Sequence, residues 1–167
     1  MRKVKLLILS LCIGFLLVSC ATTSTKAAAF PGMYEEKPTV MLIMPPINNS
    51  NYVDAKDYFY TTMNVPLAEA GYYVLPPAAT LATMQRESAY DSERFIDGDV
   101  KRFGKIFGAD VAIFTIIQGW EKSVIGSAVI IEIEYVFKST KTNEVLYRRK
   151  ARLNCRSEEH TSELQSR

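Results

Sequence analysis

Two glutamates with a spacing that suits acid/base chemistry, Glu132 and Glu134, lie where apolar and polar residues alternate. Residues two apart on a strand point to the same face, so the two carboxylates could act as a pair. The same alternation makes this a half-solvated strand and puts both on its polar side, which favours ordinary surface glutamates. No CxxC pair, glycine-rich phosphate loop or nucleophile elbow accompanies them. The sequence therefore predicts no enzyme, no metal site and no cofactor.

Cys20 has the clearest predicted chemistry, because it ends an N-terminal secretion signal. Three cations precede an apolar run at residues 6–18, which is too short for a bilayer that needs about 20 apolar residues. The motif Leu17-Val18-Ser19-Cys20 resembles the lipobox that lipoprotein signal peptidase reads. A thioether on the sulfur and further acyl chains such as palmitate would anchor the chain, since each buried CH2 contributes about 0.8 kcal/mol. Residues 1–19 are thus predicted to be a lipoprotein signal peptide; the alternative is an ordinary signal with an incidental cysteine.

The residues after Cys20 indicate where the protein would work. Ala21 follows the anchor position, where an aspartate would favour retention in the inner membrane. We therefore expect a lipid-anchored protein of the cell outer membrane that faces the periplasm. Residues 20–37 are mostly small and polar, which predicts a flexible tether. Cys155 is the only other cysteine of the exported chain, so no disulfide framework is expected.

The C-terminal residues do not resemble the rest of the chain. Residues 156–166, RSEEHTSELQS, match one reading frame of a widely used sequencing-library adapter. We interpret residues 156–167 as a non-native tail and expect the domain to be truncated at or near Cys155; a genuine polar tail is the alternative. His160, the only histidine, lies in this tail, which removes histidine-based catalysis from consideration.

The charge of the exported body excludes one class of partner. The chain has 20 Lys+Arg and 18 Asp+Glu, and without the signal and the tail 15 of each remain. A neutral body lacks the basic excess that binds a phosphate backbone, so nucleic acid is not expected as a partner. Residues 38–155 suffice for a single domain with one core.

The elements of that domain follow from apolar patterning. A continuous apolar run at residues 40–44 predicts a central strand. Helical spacing predicts a helix from about Asp54 to Ala70, which Pro66 must kink or restart. A short strand, two helices and three longer strands follow. They are listed by residue number: strand 72–75, helices 78–87 and 99–107, strands 111–117, 129–138 and 145–153. The order β-α-β-α-α-β-β-β predicts an α/β (α+β) domain with a mixed sheet in two or three layers, anticodon-binding-domain-like.

Four stretches of the chain resemble a known family. They are TVMLIMPPINNS, PLAEAGYYVLPPA, FGADVAIFTIIQGWE and TNEVLYRRKARL, in that order. They resemble bacterial lipoproteins of a family of unknown function, similar in fold to the curli-secretion lipoprotein and to the lipoprotein activator of penicillin-binding proteins. Local structure explains three motif positions: Gly71 would stop a helix, Gly108 would turn a helix into a strand, and Asn143 would occupy a turn.

Two polar clusters are candidate interaction surfaces. Asn48, Asn49 and Asn51 follow the first strand, where α/β sheets often bind ligands, although a polar turn that satisfies local backbone groups explains them more simply. Arg148, Arg149, Lys150 and Arg152 could contact an acidic partner or lipid headgroups. Their simpler interpretation is charge that protects an edge strand.

We therefore expect an outer-membrane-anchored lipoprotein that binds another envelope protein or assists assembly, with oligomers a possibility. The alternative is an oligomeric secretion component similar to the curli-secretion lipoprotein. That role would need strand pairs of about 9 to 11 residues dedicated to the membrane, and the domain sheet uses every strand found.

Overall fold

The computed structural model describes residues 25–122 and 128–156. The predicted signal peptide, the motif Leu17-Val18-Ser19-Cys20 and the tail from residue 157 on lie outside these residues. The helices are α1 Lys26–Ala29, α2 Pro31–Glu36, α3 Ala55–Thr62, α4 Asn64–Glu69, α5 Pro77–Arg86, α6 Ser92–Ile96 and α7 Lys101–Phe107. The strands are β1 Val40–Ile43, β2 Ile47–Asn48, β3 Tyr73–Val74, β4 Val111–Lys122, β5 Ala128–Ser139 and β6 Val145–Arg156.

One mixed sheet organises the described chain. Its order is β3-β1-β4-β5-β6, and β2 pairs with β4 beyond the end of β1. β1 runs parallel to β3 and β4, while β4, β5 and β6 form two antiparallel hairpins. The helical crossovers before β4 require parallel pairing and the short turn before β6 allows antiparallel pairing. The predicted mixed α/β sheet is confirmed.

Helices cover both faces of the sheet, which gives three layers. On one face, which we call face A, α5–α7 pack on β1 and β4 around Phe103 and Phe114. On the opposite face B, α4 packs on Met41, Ile43 and Ile113, and α2 contributes to the same cluster. Burial on both faces explains why β1 is a continuous apolar run. Each fully buried aromatic or aliphatic side chain contributes about 1.5–3 kcal/mol relative to exposure.

Asp110 joins β1 to the turn between β5 and β6. Its carboxylate accepts backbone N–H bonds from Thr39 (2.9 Å) and Val40 (3.0 Å) and pairs with Lys141 Nζ at 2.8 Å. Burial alone would raise the pKa of Asp110, but the hydrogen bond from Lys141 and the two N–H groups outweigh it and lower that pKa. The ionised carboxylate therefore stabilises the folded state.

Left-handed backbone at three predicted positions ends helices and closes a turn. Gly71 (φ 91°) follows α4, Gly108 (φ 66°) caps α7, and Asn143 (φ 72°) lies in the β5–β6 turn. Asn143 also accepts the backbone N–H of Val100 through Oδ1, at 2.9 Å. The roles that the sequence assigns to these residues are confirmed.

Several elements differ from their predicted form. The helix predicted from Asp54 to Ala70 is two helices that meet at Met63, and Pro66 lies in the first turn of α4, where a missing N–H is tolerated. β2 and α6 were not predicted, because two and five residues carry too little periodicity. The second half of the predicted tether at residues 20–37 differs too: α1 and α2 form there and α2 packs on β6.

The prediction of a half-solvated β5 is wrong at its C-terminal half. Glu134 is 5% exposed and Lys138 is 4% exposed; α5–α7 pack around Val136, which lies between them in the sequence, and Arg148 and Gln118 contact Glu134. The Lys138 ammonium donates to the carbonyls of Ile96 (3.1 Å) and Gly98 (2.5 Å). Burial lowers the pKa of Lys138, and the nearby carboxylates of Asp97 and Asp99 oppose that shift.

Candidate binding surfaces

An aromatic groove lies on face B between the N-terminal helices and the β5–β6 hairpin. We call it the Tyr135 groove; its volume is about 520 Å3. Its lining residues come from α1, α2, the α3–α4 junction and the hairpin: Lys26, Phe30, Met33, Tyr34, Met63, Tyr72, Tyr135, Phe137, Tyr147 and Arg149. Grooves with aromatic and methionine walls and few polar groups commonly bind peptides or small apolar ligands.

The N-terminal helices are held in place by contacts at both ends. Thr25 Oγ1 accepts the backbone N–H of Ala28 (3.3 Å) and caps α1. At the end of α2, Glu36 accepts hydroxyl hydrogen bonds from Ser139 (2.7 Å) and Thr142 (2.9 Å) in the β5–β6 turn. The helices are therefore a fixed wall of the groove.

Two close contacts pack the same wall on β6. The ring centroids of Phe30 and Tyr147 are 4.4 Å apart. Gly32 lies so close to Leu146 that a Cβ atom at position 32 would be 2.9 Å from the Leu146 Cδ2 atom. A side chain at Gly32 would therefore require the Leu146 side chain or α2 itself to shift.

The groove is positively charged at its rim. Lys26 and Arg149 are its charged lining residues, and none of the described residues that line it is acidic. Burial raises the pKa of the Tyr135 phenol, and the neighbouring Tyr147 phenol raises it further. The groove therefore presents aromatic rings below two cations, which suits an apolar ligand with a negative group.

A charged surface lies on face A, opposite the groove. We call it the charged ladder; it consists of Glu132, Glu134, Arg148, Lys150 and Arg152 on β5 and β6. Arg148 Nη1 pairs with Glu134 Oε1 at 3.0 Å, and Arg152 Nε lies 3.6 Å from Glu132 Oε1. A hollow of about 600 Å3 borders Glu132, Lys150 and Arg152. Two of the three cations thus have carboxylate partners.

The predicted basic cluster is divided between the two faces. Arg148 and Arg152 lie in the charged ladder, whereas Arg149 lines the Tyr135 groove on face B. Strand alternation accounts for the division. β6 is the outermost strand on its side of the sheet, so the structure agrees with the simpler interpretation of edge protection, and contact with a partner stays a prediction.

The asparagines after the first strand form hydrogen bonds with nearby backbone and side-chain groups. Asn48 Nδ2 donates to the Tyr52 carbonyl (2.8 Å), and Asn48 Oδ1 accepts from the Ser50 backbone N–H (3.0 Å) and hydroxyl (2.6 Å). Asn49 Nδ2 lies 3.5 Å from Gln118 Oε1. These bonds form a local turn, and a role for Asn48, Asn49 and Asn51 in binding stays a prediction.

Aromatic side chains close the sheet next to this turn. Tyr52 stacks on Trp120 with a centroid distance of 4.5 Å, and Tyr58, which is 57% exposed, lies 6.0 Å from Trp120. The cluster covers Ile117 and Ile131 on face B. The main role of these aromatic side chains is therefore to cover the edge of the hydrophobic core.

The glutamate pair does not form an acid/base site. Glu134 is buried with Arg148 and lies 3.5 Å from Gln118 Nε2, whereas Glu132 is exposed. The Glu134 carboxylate is occupied by its contacts with Arg148 and Gln118, so the two glutamates do not face one another across an open site. Within residues 25–122 and 128–156, no three His, Cys, Asp or Glu residues form a group that could hold a metal ion. In the same ranges, no helix has the length and apolar character to span a bilayer.

Sequence reasoning missed the wall of the Tyr135 groove that α1 and α2 provide. Phe30, Met33 and Tyr34 stand in a stretch rich in alanine and threonine, whose composition indicates a tether. A usable signal was present: Phe30, Met33 and Tyr34 have i, i+3 and i+4 spacing, and Pro31 suits the first turn of a helix.

Comparison with known proteins gives a family and a fold. The sequence profile of the GNA1162-like lipoprotein family matches residues 29–165. A curated lipoprotein of Neisseria meningitidis serogroup B is 27% identical over 119 residues, which are 71% of this chain and 55% of that protein. The chain thus spans about half the length of this relative.

Solved structures share the fold. The crystal structure of lipoprotein GNA1162 from Neisseria meningitidis aligns with a TM-score of 0.64 and 22% identity, over 75% of this chain and 88% of that one. The LpoB C-terminal domain from Salmonella enterica aligns at 0.52 with 14% identity, over 69% and 82%. The PelC dodecamer from Paraburkholderia phytofirmans aligns at 0.50 with 9% identity, over 72% and 74%. These similarities indicate a shared fold.

Proposed function

The chain belongs to the GNA1162-like lipoprotein family, and from this premise we propose that it is anchored in the outer membrane, faces the periplasm and acts by binding another envelope protein. The motif that ends at Cys20 supports the anchor. Five residues lie between Cys20 and Lys26, so the two are at most roughly 20 Å apart at full extension. The Tyr135 groove would therefore work close to the membrane surface.

The observation that carries the binding role is the pair of concave surfaces on the two faces of the β5–β6 hairpin. The Tyr135 groove lies on face B of this hairpin, and the hollow beside the charged ladder borders Glu132, Lys150 and Arg152. Tyr34 is 50% exposed at the groove, although aromatic side chains are costly to leave in water. Concave surfaces of this kind, with aromatic anchors and a polar rim, are typical of protein-binding sites.

Cell fractionation tests the anchor. We expect the wild-type chain in the outer-membrane fraction and the Cys20→Ser variant in the soluble periplasmic fraction with changed gel mobility. Cys155→Ser is the matched control, because Cys155 is exposed on β6 and has no proposed lipid. A Cys20→Ser variant that stays in the membrane with unchanged mobility would refute the anchor.

An alternative role, an oligomeric secretion component, is favoured by the fold shared with the PelC dodecamer. Crosslinking followed by native mass measurement of the detergent-solubilised chain separates the two roles. A discrete ring of identical subunits supports the alternative. A monomer that crosslinks to a different envelope protein supports partner binding.

A further inference from the structure

We propose that the outer edge of β6 binds an extended segment of the partner protein in which acidic and apolar residues alternate. This inference rests on the proposed partner-binding function and names the chemistry of the partner. The segment would add a strand to the sheet beside β6. Its apolar side chains would enter the Tyr135 groove and its acidic side chains would contact the charged ladder.

The backbone of β6 provides the template. β6 has 12 residues, it pairs with β5 along one side, and among the described residues no other segment makes a backbone hydrogen bond to it. An edge strand presents a row of unpaired N–H and C=O groups, to which an extended peptide can bond. Because α2 packs on Leu146, the accessible stretch runs over residues 148–154.

The Tyr135 groove and the hollow beside the charged ladder match the alternating side-chain directions of an added strand. β6 forms a wall of the groove through Tyr147 and Arg149, and a wall of the opposite hollow through Lys150 and Arg152. Successive residues of an added strand point to opposite faces, so one set would meet aromatic rings and the other set would meet cations. One ligand would thereby occupy both hollows.

Charge selects an acidic partner. Four of the five residues at positions 148–152 are basic. Glu134 and Glu132 pair with Arg148 and Arg152, whereas Arg149 and Lys150 form no ion pair within the described part of the chain. Opposite charges on adjacent strands stabilise pairing and like charges weaken it. Carboxylates on the face A side of the added strand would find Lys150 without an ion-pair partner among the described residues.

The same charges disfavour a second copy as the occupant. Two β6 strands paired across a two-fold axis would bring Arg148, Lys150 and Arg152 of one chain against the same residues of the other. Like charges directly opposite are destabilising, so a self-paired edge would be weak.

The test measures binding of synthetic seven-residue peptides to the purified full chain in detergent micelles. The probe has glutamate at positions one, three, five and seven, with phenylalanine and valine between them. We expect micromolar binding, and binding about tenfold weaker or worse for a control of the same composition with its glutamates in one block. Equal affinity for the alternating probe and the block control would show that the site does not distinguish alternating from clustered glutamates, and it would overturn the proposal.

N-methylation of the peptide tests the strand geometry. We expect methyl groups on the amides that face β6 to abolish binding, and methyl groups on the intervening amides to be tolerated. The same loss from both patterns would contradict strand addition.

Charge reversal locates the site. Lys150→Glu/Arg152→Glu should weaken probe binding about tenfold or more, whereas Lys101→Glu/Lys105→Glu on α7 is the matched control and should leave it unchanged. Binding that appears only after residues 157–167 are removed would assign the edge to the chain's own tail and overturn the proposal. If the probe fails while the membrane-anchored chain still crosslinks to a partner, the inference fails and the proposed function stands.

Discussion

The two halves of β5 show how one alternating sequence serves two purposes. In the C-terminal half, Val136, Phe137 and Lys138 are buried between helices on both faces. In the N-terminal half, Ile130 is partly exposed and Glu132 is exposed, and hollows lie beside the strand. The buried half holds the fold together, and the open half is available to a partner.

This difference originates outside β5. Glu132 and Glu134 have the same residue type and lie on the same face, yet only Glu134 is buried: it lies next to Val136, which the helices cover, and contacts Arg148 and Gln118. Exposure along a long strand thus depends on what packs on it from other parts of the chain. The comparison predicts large stability effects in the buried half and small ones in the open half.

The largest effect is expected on β4, where Phe114 pairs with Val136 of the buried half of β5. Phe114→Ala removes a fully buried ring from the face A core and should lower the free energy of unfolding by about 3–5 kcal/mol. Urea unfolding followed by circular dichroism measures it. The matched change in the open half, Ile130→Ala, should cost about 1 kcal/mol or less. Equal losses of unfolding free energy in the two variants would contradict the proposed division of β5 into a buried half and an open half.

A smaller effect is expected where the two halves meet. Glu134→Ala should cost about 1–3 kcal/mol, since it removes the buried partner of Arg148, while Arg148 can still turn to water. Glu132→Ala is the control with the same change on the same face, and it should stay within about 0.5 kcal/mol because both partners are exposed. A costly Glu132→Ala would show that the open half is structural.

Asp110 provides a pH test of the buried half. Its pKa is lowered in the folded state, so its stabilising contribution is present above the ordinary carboxyl pKa and is lost as pH falls through the folded value. Asp110→Asn should cost about 1 kcal/mol at neutral pH, and the difference from wild type should shrink towards about pH 2. Urea unfolding at several pH values measures this. A difference that persists unchanged in acid would contradict the assignment.

The smallest effects on stability are expected in the open half. Tyr34→Ala and Lys150→Ala should each change the free energy of unfolding by no more than about 0.5 kcal/mol, because both side chains are exposed. Thermal unfolding gives the value. A loss of several kcal/mol at either position would mean that the groove or the ladder supports the fold.

The sequence predicts most of the sheet and less of the surface. β4, β5 and β6 have strong patterns, and Gly71, Gly108 and Asn143 are identified by the backbone conformation that their positions require. The buried state of Glu134 and Lys138 could not be predicted, because their partners come from other parts of the chain: Arg148 and Gln118 on the neighbouring strands for Glu134, and the carbonyls of Ile96 and Gly98 for Lys138.

The face B surface shows the same limit. β6 reads as one alternating strand in which Val145 and Tyr147 share a face, but a bulge lets Leu146 take the buried place and leaves Val145 45% exposed. The composition of residues 20–37 also predicted a flexible tether where α1 and α2 form. Packing on β6 and the Glu36 bonds hold α2 there, and neither is visible in local sequence.

Site-specific photocrosslinking in intact cells tests the central claim most directly. A photoreactive phenylalanine analogue would replace Lys150 in the open half or, as the control, the exposed Lys105 on α7. We predict a discrete adduct with another envelope protein from position 150 and none from position 105. Adducts of equal yield from both positions, or none from position 150 while the protein remains folded and membrane-bound, would contradict the assignment of the open half of the β5–β6 hairpin as the binding surface.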